Sequence, residues 1–141
     1  MSTEAMEDYL EAIYLIAKRR KRVRISDISS ALKVKAPTVT EMVQKLADRG
    51  LVLYKPYERN IQLTVEGEAE AVKVMKRHSV LKGFLQLLGV SEDVAEEDAC
   101  RIEHHIHHET MRRLSKFVEF IQKNPESPRL LETFRNFCKE E

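Results

Sequence analysis

The segment that most restricts the fold of this chain is RISDISSALKVKAPTVTEMVQKLADRGLV, which begins at Arg24. Ser26 is a favourable N-cap for a short amphipathic helix. Pro37 fits the first turn of a second helix, and Gly50 suits a left-handed cap at its end. Residues 34–36 leave room only for a tight connection. Two short helices joined in this way predict a helix-turn-helix.

The sequence after this segment predicts a β-hairpin. Residues 51–55 and 60–64 are two short runs of β-prone side chains, and the polar turn PYERN lies between them. Their length and spacing are typical of a hairpin. A hairpin directly after the second helix of a helix-turn-helix is the wing of a winged helix.

The remainder of the chain has helical periodicity. An amphipathic helix is predicted over residues 3–21, and a long helix capped by Thr64 is predicted to run to about Leu88. Another is predicted to start after Ser91 and to include His108, followed by helices over 111–123 and 128–139. We therefore expect a mainly α fold with an N-terminal winged helix-turn-helix, a small β-hairpin wing and a C-terminal helical domain. The expected domains are residues 1–70 for DNA binding and 71–141 for metal binding and dimerisation.

Composition limits the class of protein. Apolar residues make up 43% of the chain and charged residues 33%, as in ordinary globular proteins. No apolar run is long enough to cross a bilayer, and the first residues do not resemble a signal peptide. We therefore expect a cytoplasmic protein without membrane contact, whose Cys100 and Cys138 stay reduced.

Charge is distributed unevenly along the chain. Residues 1–63 contain 12 Lys and Arg against 8 Asp and Glu, whereas residues 64–141 contain 12 against 15. The basic half favours contact with a polyanion, and the acidic half favours contact with cations.

The second helix of the helix-turn-helix carries the candidate DNA-binding residues. Lys35 and Arg59, at the helix entrance and the wing tip, suit phosphate contact, while Thr40 and Gln44 suit base edges. The alternative is that these side chains are only the solvated face of a helical hairpin. The complete candidate set is Lys35, Ala36, Pro37, Thr38, Thr40, Glu41, Gln44, Lys45 and Arg59.

The stretch CRIEHHIHHE from Cys100 predicts a metal site. On a helix, Cys100, Glu103 and His104 would share one face. A thiolate, a carboxylate and an imidazole together are typical ligands of borderline transition metals. A solvated acidic helix is the alternative. Further donors are the pair Asp8 and Glu11 and the separate His78, whereas His105, His107 and His108 are expected outside the ligand set or at the surface.

Several of these motifs together resemble one family. They are MEDYLEAIY at 6–14, APTVTEMVQKL at 36–46, LTVEGE at 63–68, the helix with His78, and C-x-x-E-H at 100–104. They are similar to the diphtheria toxin repressor and manganese transport regulator family of metal-dependent transcriptional repressors. The resemblance covers nearly the whole chain and implies a homodimer that binds palindromic double-stranded operator DNA and is activated by metal between its domains.

The resemblance also implies a ligand set. Asp8, Glu11, His78, Glu103 and His104 match ligand positions of the manganese-regulator branch, and Glu11 and Glu103 match residues that bridge two ions. Cys100 departs from that branch and is typical of the iron-regulator branch, whose SH3-like domain has no counterpart in this sequence. We therefore expect Mn(II) or Fe(II), with two ions per subunit, and Co(II), Zn(II) or Cd(II) as substitutes in vitro.

Other functions remain possible from the residues alone. Cys100 could be an enzyme nucleophile, but no oxyanion-hole glycines lie near it, so we expect a regulator and not an enzyme. The other alternative is a winged-helix regulator that has a structural zinc site or senses an organic ligand.

Overall fold

The computed structural model describes residues 3–140, and the chain divides into two units between Met75 and Lys76. The fold is mainly helical with one two-stranded antiparallel hairpin, as the sequence predicts. The elements in chain order are α1 (Glu4–Arg19), α2 (Ile25–Leu32), α3 (Ala36–Asp48), β1 (Val52–Lys55), β2 (Asn60–Leu63), α4 (Val65–Leu87), α5 (Glu92–Ile102), α6 (His108–Lys123) and α7 (Ser127–Cys138).

The core of the first unit is formed by α1, α2, α3 and the hairpin. Its fully buried side chains come from every one of these elements, so the helix-turn-helix and the wing share a single core. Burial of these apolar groups is the main force that holds the short helices in place. They include Leu10, Ile13, Ile28, Val39, Val43, Leu46, Val52 and Ile61.

The helix-turn-helix begins two residues earlier than the sequence suggests. Ser26 is not the N-cap of α2, because the helix starts at Ile25 and the backbone N–H of Arg24 donates to Asp27 Oδ2 at 3.0 Å. The carboxylate of Asp27, the third residue of the helix, therefore accepts from the N-cap N–H as in a capping box. Gly50 has a φ of +74° after α3, which agrees with the predicted left-handed cap.

The wing is fixed to the rest of the first unit by residue 23. Val52 pairs with Leu63 and Lys55 with Asn60 across the hairpin. The Val23 N–H donates to Asn60 Oδ1 at 3.2 Å, and the Ile61 N–H donates to the Val23 carbonyl at 2.8 Å. The loop before α2 therefore pairs with the wing, although the sequence gives no sign of it.

The long helix α4 begins and ends as predicted. Thr64 Oγ1 accepts from the Gly67 N–H at 3.0 Å and donates to the Gly50 carbonyl at 2.7 Å, so one hydroxyl caps α4 and joins it to the end of α3. Gly89 follows the helix with a φ of +96°. None of the described helices has both the length and the hydropathy required to cross a membrane.

The second unit differs from the sequence prediction after Ile102. The helix predicted to continue to His108 ends at Ile102, residues 103–105 form a turn, and His108 begins α6. Ile106 packs on a small core of Leu81, Ala99 and Met111. Large apolar side chains of α6 and α7 remain exposed, namely Phe117, Phe120, Leu130, Phe134 and Phe137.

Candidate functional site

The imidazole of His78 lies at the centre of the candidate metal site in the second unit. It projects from α4, and its Nδ1 is 2.9 Å from Glu103 Oε2 and 3.7 Å from Cys100 Sγ. Nitrogen, oxygen and sulfur donors therefore converge at one edge of the ring. They are supplied by α4, by α5 and by the turn that follows α5.

Glu103 and His104 lie in the turn that follows α5. Glu103 is only 3% exposed, and its Oε1 is 3.4 Å from His104 Nε2. The prediction that Cys100, Glu103 and His104 share one face of a continuous helix was wrong, because α5 ends at Ile102 and Glu103 and His104 lie in the turn after it. The chain turn brings the imidazole of His104 to Glu103 instead.

Asp8 and Glu11 lie on α1 in the first unit, and their spacing of three residues places them on the same side of that helix. His105, His107 and His108 are exposed.

The donor set of His78, Cys100, Glu103 and His104 fits a borderline transition ion, because thiolate, carboxylate and imidazole are its usual ligands. Attraction between a protonated histidine and a carboxylate would also account, without metal, for the contacts of His78 and His104 with Glu103.

Sequence reasoning missed Glu96 on α5. Its Oε1 is 2.9 Å from His78 Nε2, at the ring edge opposite Glu103, and its Oε2 is 3.0 Å from Lys82 Nζ. Glu96 is one of several acidic residues in the first turns of α5, so its position gave no signal of its own. Only the packing of α4 against α5 distinguishes it from its neighbours.

The charges around His78 alter the acid–base behaviour of the site. Burial of the ring disfavours its protonated form, but the hydrogen bonds and charges of Glu96 and Glu103 outweigh burial and raise the pKa of His78 above its ordinary value. The hydrogen bonds from His78 and Lys82 lower the pKa of Glu96. Glu96 is therefore held as a carboxylate.

The candidate DNA-binding residues are all exposed and lie in two places on the first unit. Lys35 is the N-cap of α3, and Arg59 has a left-handed conformation at the tip of the wing. Thr40 Oγ1 donates to the Ala36 carbonyl at 3.1 Å, which leaves both lone pairs of its oxygen able to accept hydrogen bonds. The other members lie along the first three turns of α3, namely Pro37, Thr38, Glu41, Gln44 and Lys45.

Two family descriptions match this chain and together cover most of it. Residues 1–59 match the N-terminal DNA-binding domain of the iron-dependent repressors. Residues 64–134 match the metal-binding and dimerisation domain of the same family.

Curated relatives agree with these matches over nearly their full length. The chain is 38% identical to the HTH-type transcriptional regulator MntR of Lysinibacillus sphaericus, over 94% of this chain and 94% of the relative. It is 36% identical to MntR of Bacillus subtilis, over 88% of this chain and 87% of that protein.

Solved structures give the same result for the fold. The manganese regulator SloR is 31% identical with a TM-score of 0.72, and the match covers 85% of this chain and 55% of SloR. A manganese-dependent transcriptional repressor in complex with manganese is 28% identical with a TM-score of 0.74, over 86% of this chain and 56% of that one. The chain thus spans about half the length of these two structures.

Proposed function

We infer that Mn(II) or Fe(II) activates the binding of this chain to operator DNA, because the chain belongs to the iron-dependent repressor family and is a metal-dependent transcriptional regulator. Members of this family are DNA-binding regulators, and the chain is accordingly not an enzyme. The convergence of His78, Cys100, Glu103 and His104 is the observation that carries the proposal about activation.

The proposed ligands come from both units. The second unit supplies an imidazole nitrogen, a sulfur and a buried carboxylate that already lie together. Asp8 and Glu11 on α1 are included because they match ligand positions in the sequence motif MEDYLEAIY. The complete proposed set is Asp8, Glu11, His78, Cys100, Glu103 and His104, and it contains enough donors for two ions per subunit.

Ligands from two units would make DNA affinity depend on metal. A bound divalent ion supplies positive charge that neutralises these carboxylates and the thiolate. Because Asp8 and Glu11 belong to the unit that carries α3, their engagement restricts the motion of that unit relative to the second. The restricted arrangement is the one that we expect to bind DNA more tightly.

The DNA-binding surface is proposed to consist of α3 and the wing. Lys35, Lys45 and Arg59 contact phosphates, and Thr40 and Gln44 reach base edges. The dimerisation domain implies a dimer with two such surfaces. We therefore propose a palindromic operator whose half-sites lie about 34 Å apart, one turn of the DNA helix, and a cytoplasmic location for the protein.

The proposal is tested by measuring operator affinity by fluorescence anisotropy, in chelator and in excess Mn(II). Metal should tighten binding clearly in the unaltered chain, while His78→Gln and Glu103→Gln should lose this response and keep weak binding. Equal affinity in chelator and metal would exclude a metal-activated regulator. A regulator with only a structural zinc site would keep its DNA affinity when manganese is removed, and an organic-ligand sensor would be insensitive to both substitutions.

Metal preference requires a separate titration. Cys100 favours softer ions such as Fe(II), Co(II), Zn(II) or Cd(II), while the carboxylates favour Mn(II). Affinity alone follows the Irving–Williams order. DNA binding should therefore be titrated anaerobically with each ion, and the ion that activates at its cellular free concentration identifies the physiological metal.

A further inference from the structure

The ring of His78 is held at both of its nitrogen atoms. Nδ1 faces Glu103 and Cys100, whereas Nε2 is 2.9 Å from Glu96 Oε1. Glu96 and Cys100 are both on α5, one turn apart, so the helix presents an acceptor to one ring edge and a sulfur to the other. His78 is therefore fixed in orientation by α5 and not only by its own helix.

Glu96 is in turn held in place by Lys82. Lys82 Nζ lies 3.0 Å from Glu96 Oε2 and 3.5 Å from Glu92 Oε1. Lys82 is one turn after His78 on α4, so the imidazole and the ammonium group contact the two oxygens of one carboxylate. This arrangement leaves Glu96 with a cation already beside it.

A neutral imidazole has one N–H and one lone pair, so the acceptor at one nitrogen decides which nitrogen can bind metal. Given the proposed function, we propose that Glu96, anchored by Lys82, is a positioning residue that accepts the Nε2–H of His78 and presents Nδ1 to the metal beside Cys100 and Glu103. Neither Glu96 nor Lys82 contacts the ion in this assignment.

Glu96 could instead be a ligand itself, since ligand atoms of His78, Glu96 and Cys100 lie within 4.8 Å of one another. The position of Lys82 argues against this reading. An ion bound by Glu96 would lie close to the ammonium group, and like charges at such separations repel. The Glu96 carboxylate therefore acts as a hydrogen-bond acceptor between the His78 imidazole and the Lys82 ammonium group.

The first experiment measures Mn(II) and Co(II) affinity by calorimetry in the full chain. Glu96→Gln should weaken binding about 10- to 100-fold, as loss of a partner of a ligating histidine does. Glu97→Gln is the matched control, because it removes the same charge from the next residue of α5, which pairs with Arg101 at 2.9 Å and not with His78. An equal loss in both variants would mean that only the net charge matters, and would overturn the proposal.

Lys82→Met distinguishes an anchoring role from a simple charge effect, because the two explanations predict changes in metal affinity of opposite sign. If charge alone acted, removal of this cation would strengthen the binding of a divalent ion. If Lys82 anchors Glu96, the substitution should weaken binding, and the double variant should be no weaker than Glu96→Gln alone because the two residues act through one contact. Tighter binding by Lys82→Met, or additive losses, would refute the anchoring role.

The second experiment identifies the metal-bound nitrogen directly. In Zn(II)-loaded protein with ¹⁵N-labelled histidine, the Nδ1 resonance of His78 should show metal ligation and its Nε2 should carry a proton; His78→Gln assigns the signals. Ligation through Nε2 would show that Glu96 does not hold His78 with Nδ1 toward the metal, and would overturn the proposal. If the unaltered chain binds none of these ions, the proposed function fails instead, so the two failures are distinguishable.

Discussion

Gly67 is a residue at which the backbone leaves no room for a side chain. A Cβ built on it would lie 1.9 Å from the Leu51 carbonyl oxygen and 2.9 Å from the carbonyl carbon. Neither atom can rotate away as a side chain could. We expect Gly67→Ala to lower the free energy of unfolding by about 2–3 kcal/mol, the upper range for overpacking, as measured by urea denaturation.

Gly83 provides the control in the same helix. Nothing lies within 4 Å of a Cβ built there. Gly83→Ala should therefore raise the free energy of unfolding by about 0.5–1 kcal/mol, because alanine is the better helix former. If both substitutions changed stability in the same direction, contact with Leu51 would not explain the effect at residue 67.

Cys100 is expected to shift the preference of the proposed metal site toward softer ions than Mn(II). If its sulfur is a ligand, the Co(II) form should show a thiolate-to-metal charge-transfer band, and Cys100→Glu should favour Mn(II) over Fe(II) and Co(II) in activating DNA binding. Cys138→Ser is the control, since Cys138 is likewise an exposed cysteine but lies on α7. Absence of the band, or an unchanged metal ranking in Cys100→Glu, would show that Cys100 is not a ligand.

At the scale of elements, the wing depends on a side chain outside its strand pairing. Asn60→Ala would leave the N–H of buried Val23 without its acceptor, which costs about 1–3 kcal/mol. We expect lower thermal stability and weaker DNA binding as the wing loosens. Gln62→Ala, on the exposed face of the same strand, should leave thermal stability nearly unchanged; equal losses would indicate that strand propensity and not the contact with Val23 is responsible.

The elements that the sequence predicts well are those with local signals. Thr64, Gly50 and Gly89 mark helix ends through caps and turns within a few residues of themselves. The end of α5 lacks such a signal, because residues 102–106 contain no glycine or proline and continue a helical pattern. Glu96 and the pairing of residue 23 with the wing depend on contacts distant in sequence, which periodicity cannot reveal.

At the scale of the whole molecule, exposed large apolar side chains predict where two chains meet. Phe120, Leu130 and Phe137 are 59%, 61% and 70% exposed on α6 and α7. Burial of such groups against a second copy would remove them from water, at about 25 cal/mol per Å² of apolar surface. We expect a dimer by sedimentation at micromolar concentration, and a shift toward monomer in Leu130→Glu and Phe137→Glu.

The control for the dimer is Gln122→Glu, which adds the same charge at an exposed polar position of α6. It should leave the sedimentation coefficient unchanged. A monomeric unaltered chain, with and without metal, would contradict the assignment of this surface. The helical pattern of this half predicts interface positions at Phe117, Val118 and Ile121, but the structure buries Val118 and Ile121 and exposes Phe117 and Phe120.

Two basic residues of the first unit adopt a backbone conformation that glycine accepts more readily. Lys33 has a φ of +57° at the end of α2 and Arg59 a φ of +49° at the wing tip. For a side chain with a Cβ this conformation costs about 1–2 kcal/mol, which exceeds the entropic cost of glycine. Selection for folding alone would therefore favour glycine at both places. Lys33→Gly and Arg59→Gly should therefore raise the thermal stability of the chain, whereas the loss of two positive charges from the basic first unit should reduce operator affinity.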